Sequence, residues 1–368
     1  MHLPDPPAGF LPERLVQLHG SGSGQPAACL QGGEAPPLAA WLRALPRLKA
    51  EGYTHVQLAV GDRPAWIGLA DLAAAARDHG LRVSLLCDGQ QADMQQNRLF
   101  DALDELVVQV VRGDRATDPQ ARADAPFLAS RRHSSLAQAG RLLAQRADRG
   151  RPATALLSVD RAAVAEAHEV AEHLIRQGAG ALQVRPYDAH EAGVRFFSDT
   201  DKRRLYQTVV SLAQALAPRV RVQGSLAVAS LLWQQRETYA GLLAPWPRPG
   251  ESRARLSDMV NPLVISETGQ LKPVSSNMHA CFNIGHLHRL HDEPWLQRYA
   301  RSGVSALQRL VGGGLIRLEY HPGVVDWLAD LARASHDQPL ARPLQHAAST
   351  ATIRPAAAPP LEALASAA

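Results

Sequence analysis

Thiols, aromatic rings and long apolar runs are all scarce in this sequence of 368 residues. Its three cysteines, Cys29, Cys87 and Cys281, are too scattered for a disulfide framework or a thiolate-only metal site. Aromatic residues make up 5% of the chain, and Arg is spread without a basic stripe interleaved with rings. That pattern argues against a nucleic-acid surface. No run approaches the roughly 18 apolar residues of a membrane span, and Met1-His2-Leu3-Pro4 does not open a signal peptide. A formal charge of +4 is mild for this length. These absences leave a soluble cytoplasmic protein with neither nucleic acid nor membrane as partner.

What is present is a repeated rhythm. With 46% hydrophobic residues the chain supports one large α/β domain plus an appendage, or two ordinary domains. Short apolar runs at Leu15–His19, His55–Val60, Arg82–Leu86, Leu106–Val111, Ala153–Ser158, Ala181–Arg185 and Val220–Gly224 read as strands. They look apolar on both faces, as parallel strands covered on two sides should be. Helical spacing fills the gaps: Val164, His168, Ala171 and Ile175 share one face, as do Leu205, Val209, Leu212 and Leu216. Ser198-Asp199-Thr200-Asp201 reads as a capping box with Asp in the Glu position. Gly52, Gly80, Gly150 and Gly178 each precede a strand, where a helix must end. This succession of βα units predicts a parallel (β/α) barrel, partial or near-complete, rather than an open doubly wound sheet.

The expected organisation has four parts. Residues 1–11 form an irregular Pro-rich lead-in, and 12–226 the barrel. Residues 227–336 form a small C-terminal extension, with a strand pair at Asn261–Ser266 and Leu271–Val274 and helices near Trp295–Leu310 and Gly323–Ala334. Residues 337–368, rich in Ala and Pro, read as a disordered tail.

Several groups invite chemistry. The Gly20–Gly24 run lets backbone N–H groups approach an anion, but Gln25-Pro26 follows instead of the helix a phosphate loop requires. Ser21 and Ser23 lie near His19 without a nucleophile-elbow sequence around them. Asp62 and Arg63 end a strand, where they serve either a ligand or an internal ion pair or cap. Arg112, Arg185 and Tyr187 end strands on the same side and suit an anion or plain solvation. His279, Cys281, His286, His288 and His291 are the densest metal-capable run. His286 and His288, two apart on extended chain, form a conceivable metal pair, although no carboxylate or second thiol has ligand spacing.

The order of these pieces resembles the radical S-adenosylmethionine (radical SAM) superfamily, in its peptide- and natural-product-associated branch with a SPASM-like C-terminal segment. The resemblance spans residues 12–310. It is carried by Leu18-His19-Gly20-Ser21, by Val60-Gly61-Asp62-Arg63 in place of Gly-Gly-Glu-Pro, and by Cys87-Asp88-Gly89 in place of Thr/Ser-Asn-Gly. Val264–Pro273 with Gly269, then Ile284-Gly285-His286-Leu287-His288, match the C-terminal segment. The resemblance implies a radical-SAM-like barrel of about six strands or slightly more, and in active members a four-iron cluster and S-adenosylmethionine. It identifies Gly61, Asp62 and Arg63 as a vestigial S-adenosylmethionine motif.

The departures from the family are specific. Its CxxxCxxC cluster positions fall here on Gly24, Ala28 and Gln31, with Cys29 one residue off the second. No register restores three thiolates, which such clusters require. Val110 and Arg112 replace a Ser and an Asp that the branch commonly carries on the fourth strand. A degenerate, cluster-free protein is therefore expected, with no cofactor and no radical chemistry. Its role would be that of a non-catalytic partner or of a substrate- or peptide-binding subunit, its partner an active radical SAM enzyme or a precursor peptide. Two alternatives stay open: an enzyme repurposed around Asp62, Arg112 and the His286/His288 pair, and S-adenosylmethionine binding without cleavage.

Overall fold

A computed structural model describes residues 15–19, 36–59, 68–88, 97–112, 136–187, 197–217, 219–234, 255–266, 268–290 and 293–337. Among the described residues, seven strands alternate with six helices in the first part of the chain. The strands are β1 (Leu15–His19), β2 (His55–Ala59), β3 (Arg82–Asp88), β4 (Glu105–Arg112), β5 (Ala153–Val159), β6 (Ala181–Pro186) and β7 (Arg221–Gly224). The helices between them are α1 (Leu38–Ala50), α2 (Leu69–Asp78), α3 (Asn97–Ala102), α4 (Leu136–Asp148), α5 (Ala167–Arg176) and α6 (Asp199–Leu216). There follow β8 (Leu226–Val228), α7 (Ala229–Gln234), α8 (Leu256–Met259), β9 (Leu263–Ile265), β10 (Gln270–Pro273) and β11 (Gly285–His286). The described chain ends with α9 (Glu293–Tyr320), β12 (Val324–Asp326) and α10 (Trp327–Asp337).

The strands form one ten-stranded sheet in the order β11-β10-β9-β1-β2-β3-β4-β5-β6-β7, beside a small β12-β8 pair. Strands β9 and β1 to β7 run parallel, and β10 pairs antiparallel with both β9 and β11. The expected α/β class with a parallel sheet is thus observed. Among the described residues the sheet keeps two edges, β11 and β7, and no pairing joins them. No helix there is long and apolar enough to cross a membrane.

The two sides of the sheet differ in chemistry. Alternate positions such as Val56, Leu58, Val83, Leu85, Val108, Leu157 and Val184 join the helices in one hydrophobic core. The intervening positions carry Gln57 level with Ser84, Gln183 level with Gln223, and Ser158 level with Arg185. These polar residues face away from the helices, because side chains alternate along a strand. Ser84, Ser158 and Gln223 are 0%, 0% and 3% exposed and Gln57, Gln183 and Arg185 are part-buried, so this second face is largely shielded from water. The apolar character expected on both faces of the strands is found on the helix side alone. The opposite side mixes amides and hydroxyls with aliphatic residues.

Local signals in the sequence hold where their chemistry is local. Ser198 Oγ accepts from the Asp201 backbone N–H, and the Asp201 carboxylate accepts from that of Ser198, completing the capping box of α6. Gly52, Gly80, Gly150 and Gly178 all have positive φ. Helix α9 runs ten residues past its expected end at Leu310 and through Gly312-Gly313-Gly314. A Cβ at Gly314 would lie 2.9 Å from the Trp327 ring. Close packing of α9 on α10 therefore outweighs the poor helix propensity of glycine. Val324–Asp326, expected to be helical, instead pairs with β8, and α10 begins only at Trp327.

Candidate functional site

The C-terminal edge of β5, β6 and β7 holds a connected polar group. Ser158 Oγ on β5 accepts from Arg185 Nε at 3.0 Å and from Gln109 Nε2 at 3.3 Å. Burial holds the Arg185 pKa below its ordinary value, while the charges of Asp326 and Tyr187 act in the opposite direction. Just past β7, Ser225 Oγ donates to Asp326 Oδ2 at 2.9 Å, and the Ala329 N–H donates to Asp326 Oδ1 at 3.3 Å. Asp326 thereby starts α10. Burial raises its pKa to about 6, against the lowering effect of those two hydrogen bonds.

Arg185 and Tyr187, both singled out from the sequence, do sit at this edge. The Tyr187 N–H donates to the Val159 carbonyl at 2.6 Å. Arg112 is level with Val159, one position out of step with Ser158 and Arg185. Sequence reasoning missed Gln223 and Asp326. Gln223 sits one residue before Gly224, and Asp326 lies inside a segment whose spacing suggests helix. Neither has a local pattern that marks it.

A cleft of about 300 Å³ lies nearby, between the start of α6, the end of α9 and α10. Lys202, Arg317 and Arg333 give it positive charge, and His321 also lines it. Its acid, Asp330, is paired with Lys202 at 3.3 Å and Arg333 at 3.2 Å.

The histidine-rich segment is built as a turn. The His286 and His288 rings stack with centroids 4.9 Å apart. Both nitrogens of His286 are engaged: Nε2 donates to the Thr268 carbonyl at 2.6 Å, and Nδ1 accepts the His288 N–H at 3.3 Å. Gly269 makes room for this contact. Its φ is +80°, and a Cβ there would meet His286 Cε1 at 2.9 Å and Pro36 Cγ at 2.8 Å. The strand–Gly–strand motif thus folds the sheet edge against one imidazole.

His279 Nδ1 accepts from the Cys281 N–H at 3.2 Å and lies 3.0 Å from Cys281 Sγ. Burial raises the Cys281 pKa and lowers that of His279, which keeps both groups neutral and the thiol a poor nucleophile. Among the described residues no group of three or more His, Cys, Asp or Glu side chains is placed to hold a metal ion. Gly24, Ala28, Cys29 and Gln31 of the first loop, with Ser21 and Ser23, lie outside the described residues, as do Gly61, Asp62, Arg63, Gly89, His291 and the tail after Asp337.

No family model and no curated protein matches this sequence. Solved structures do match its fold. SuiB of Streptococcus suis bound to S-adenosylmethionine aligns with a TM-score of 0.50 at 12% identity, over 78% of this chain and 67% of SuiB. SuiB bound to its precursor peptide SuiA aligns with a TM-score of 0.51 at 12% identity, over 81% of this chain and 72% of SuiB. SuiB by itself gives 0.51 at 12% identity, over 81% and 74%. At such identity the likeness is one of fold.

Proposed function

We propose that this chain is a cluster-free relative of the radical SAM enzymes that holds a peptide or similar substrate in its polar interior and performs no radical chemistry. The observation that carries this reading is the donor set of the first loop. Gly24, Ala28 and Gln31 stand at the cluster positions, and Cys29 is the one thiol nearby. An iron–sulfur cluster needs thiolates from all three positions, so these residues do not fit one. Cys87 is a buried part of the hydrophobic core, and Cys281 belongs to the His279 turn. Neither offers a replacement ligand set.

The fold shared with SuiB, seen with S-adenosylmethionine and with a precursor peptide, supports the superfamily resemblance and a peptide as the class of ligand. The polar inner rows support it independently. A parallel sheet covered on both faces by protein alone carries aliphatic side chains on both, whereas amides and hydroxyls at alternate positions suit a hydrogen-bonding guest. The partner in this reading is a precursor peptide or the active radical enzyme that modifies it. S-adenosylmethionine is a second candidate ligand, because Gly61 and Asp62 keep part of the family's second-strand motif. An enzyme rebuilt on His286 and His288 is disfavoured, since His286 has no nitrogen left for metal or proton transfer.

Reconstituting the protein anaerobically and supplying S-adenosylmethionine with a strong reductant tests the reading. No deoxyadenosine should form, while peptides encoded beside the gene should co-purify with the chain. Reductive cleavage of S-adenosylmethionine at catalytic turnover contradicts it.

A further inference from the structure

Given a ligand-holding interior as proposed above, the ends of β6 and β7 specify what part of the ligand they grip. Arg185 makes one hydrogen bond, to the neutral Ser158 hydroxyl, and no ion pair among the described residues. Arg185 is part-buried, and a guanidinium partly drawn from water normally gathers more than one acceptor. Arg146, 2% exposed, shows the ordinary solution in this same molecule. It donates to the carbonyls of Phe100 at 2.6 Å, Leu103 at 2.8 Å and Pro152 at 3.4 Å. Asp326 is felt by Arg185 but is held by Ser225 and the start of α10, and does not pair with it.

Gln223 supplies an independent observation. The residue is 3% exposed, and its Nε2 is buried without any hydrogen-bond partner. Its direction follows from its neighbours. Val222 joins the helix-side core, and a Cβ on Gly224 would lie 3.1 Å from Val209 of α6. Gln223, between them, points to the interior. It is level with Gln183 on β6, two residues before Arg185 on the same face. Neighbours at that diagonal stand about 7–8 Å apart, within reach of two long side chains meeting on one ligand group.

We propose that Arg185 and Gln223 bind a carboxylate of the ligand, Arg185 through its terminal nitrogens and Gln223 through Nε2. A carboxylate supplies the acceptor both donors lack and the countercharge Arg185 lacks, and its planar pair of oxygens matches the guanidinium fork. One cation beside an acid suits a monoanion better than a phosphate dianion.

Calorimetric titration tests this with four probes. They are an end-capped alanine peptide with one central Glu, the same peptide with Gln, an alanine peptide with a free C-terminus, and glutarate. A side-chain or terminal carboxylate should bind wild-type protein about tenfold tighter than the Gln peptide does. That advantage should vanish in Arg185→Gln and shrink in Gln223→Met, which keeps the side chain's length and is expected to fold. The Glu and free-end peptides distinguish the source of the carboxylate. Equal binding of the Glu, Gln and free-end peptides overturns the carboxylate assignment and leaves peptide binding standing. If no peptide binds while glutarate binds wild-type protein and not Arg185→Gln, the carboxylate grip stands and the peptide reading falls. Silence from all four probes overturns both.

Discussion

Arg146, in the last turn of α4, and Arg185, on β6, sit at opposite ends of the sheet, and burial lowers the pKa of each. Arg146 closes the N-terminal side by bonding three carbonyls from α3, the turn after it and the residue before β5. Arg185 stands at the C-terminal side on one hydroxyl, close to an amide nitrogen with no partner. One end of the sheet is complete within the chain, and the other is short of acceptors. In repeated βα folds the C-terminal side is the usual functional face, and here the imbalance of hydrogen bonds falls on that side.

Substitutions sharpen the contrast, and the largest effect belongs to the finished end. Arg146→Gln breaks three hydrogen bonds, two of them buried, and takes from the Leu103 carbonyl its guanidinium donor, and should cost about 3 kcal/mol in urea unfolding. Arg185→Gln should change stability by less than about 1 kcal/mol in ligand-free protein, since it breaks a single bond to a hydroxyl. Equal losses at the two sites would erase the distinction.

Asp326 gives a pH-dependent effect of intermediate size. Its folded pKa of about 6 lies above the ordinary 3.8, so its folded form holds its proton more tightly than its unfolded form. The stability it contributes is therefore full below pH about 4 and lost as pH rises to about 6. Asp326→Asn should stabilise the protein by roughly 2 kcal/mol at pH about 8, and by nothing or less at pH about 4. Unfolding curves at the two pH values check this, and a gain of the same size at both would refute the assignment. Gln223→Met should add about 1 kcal/mol by removing a buried donor without a partner. The smallest expected change is in metal content. His286→Ala with His288→Ala should leave bound metal as in wild type, because the imidazoles serve the Gly269 turn; loss of a stoichiometric ion would show a site there.

The sequence makes the helix side of this fold legible and the interior obscure. Strands β1 to β7 stand out because each carries enough aliphatic side chains to mark a buried run, and their helices are set by caps and glycines a few residues away. The polar interior does not stand out, because each strand offers only one or two Gln, Ser or Thr. They become rows only when register aligns Gln57 with Ser84 and Gln183 with Gln223. Arg185 is visible as a charge ending a strand. Asp326 is not, since its link to that edge runs through the β8–β12 pair, whose two strands are three residues each and far apart in sequence. The His286–His288 pattern misleads for a related reason. Spacing shows two imidazoles on one side of a strand, but not that the Thr268 carbonyl and the His288 N–H already engage both nitrogens of the first.

The loss of the cluster is the claim on which the rest depends, and iron and sulfide analysis after anaerobic reconstitution measures it directly. The account predicts a colourless protein with neither element in stoichiometric amount. Stoichiometric iron and sulfide, with the visible absorption of an iron–sulfur cluster, would contradict it.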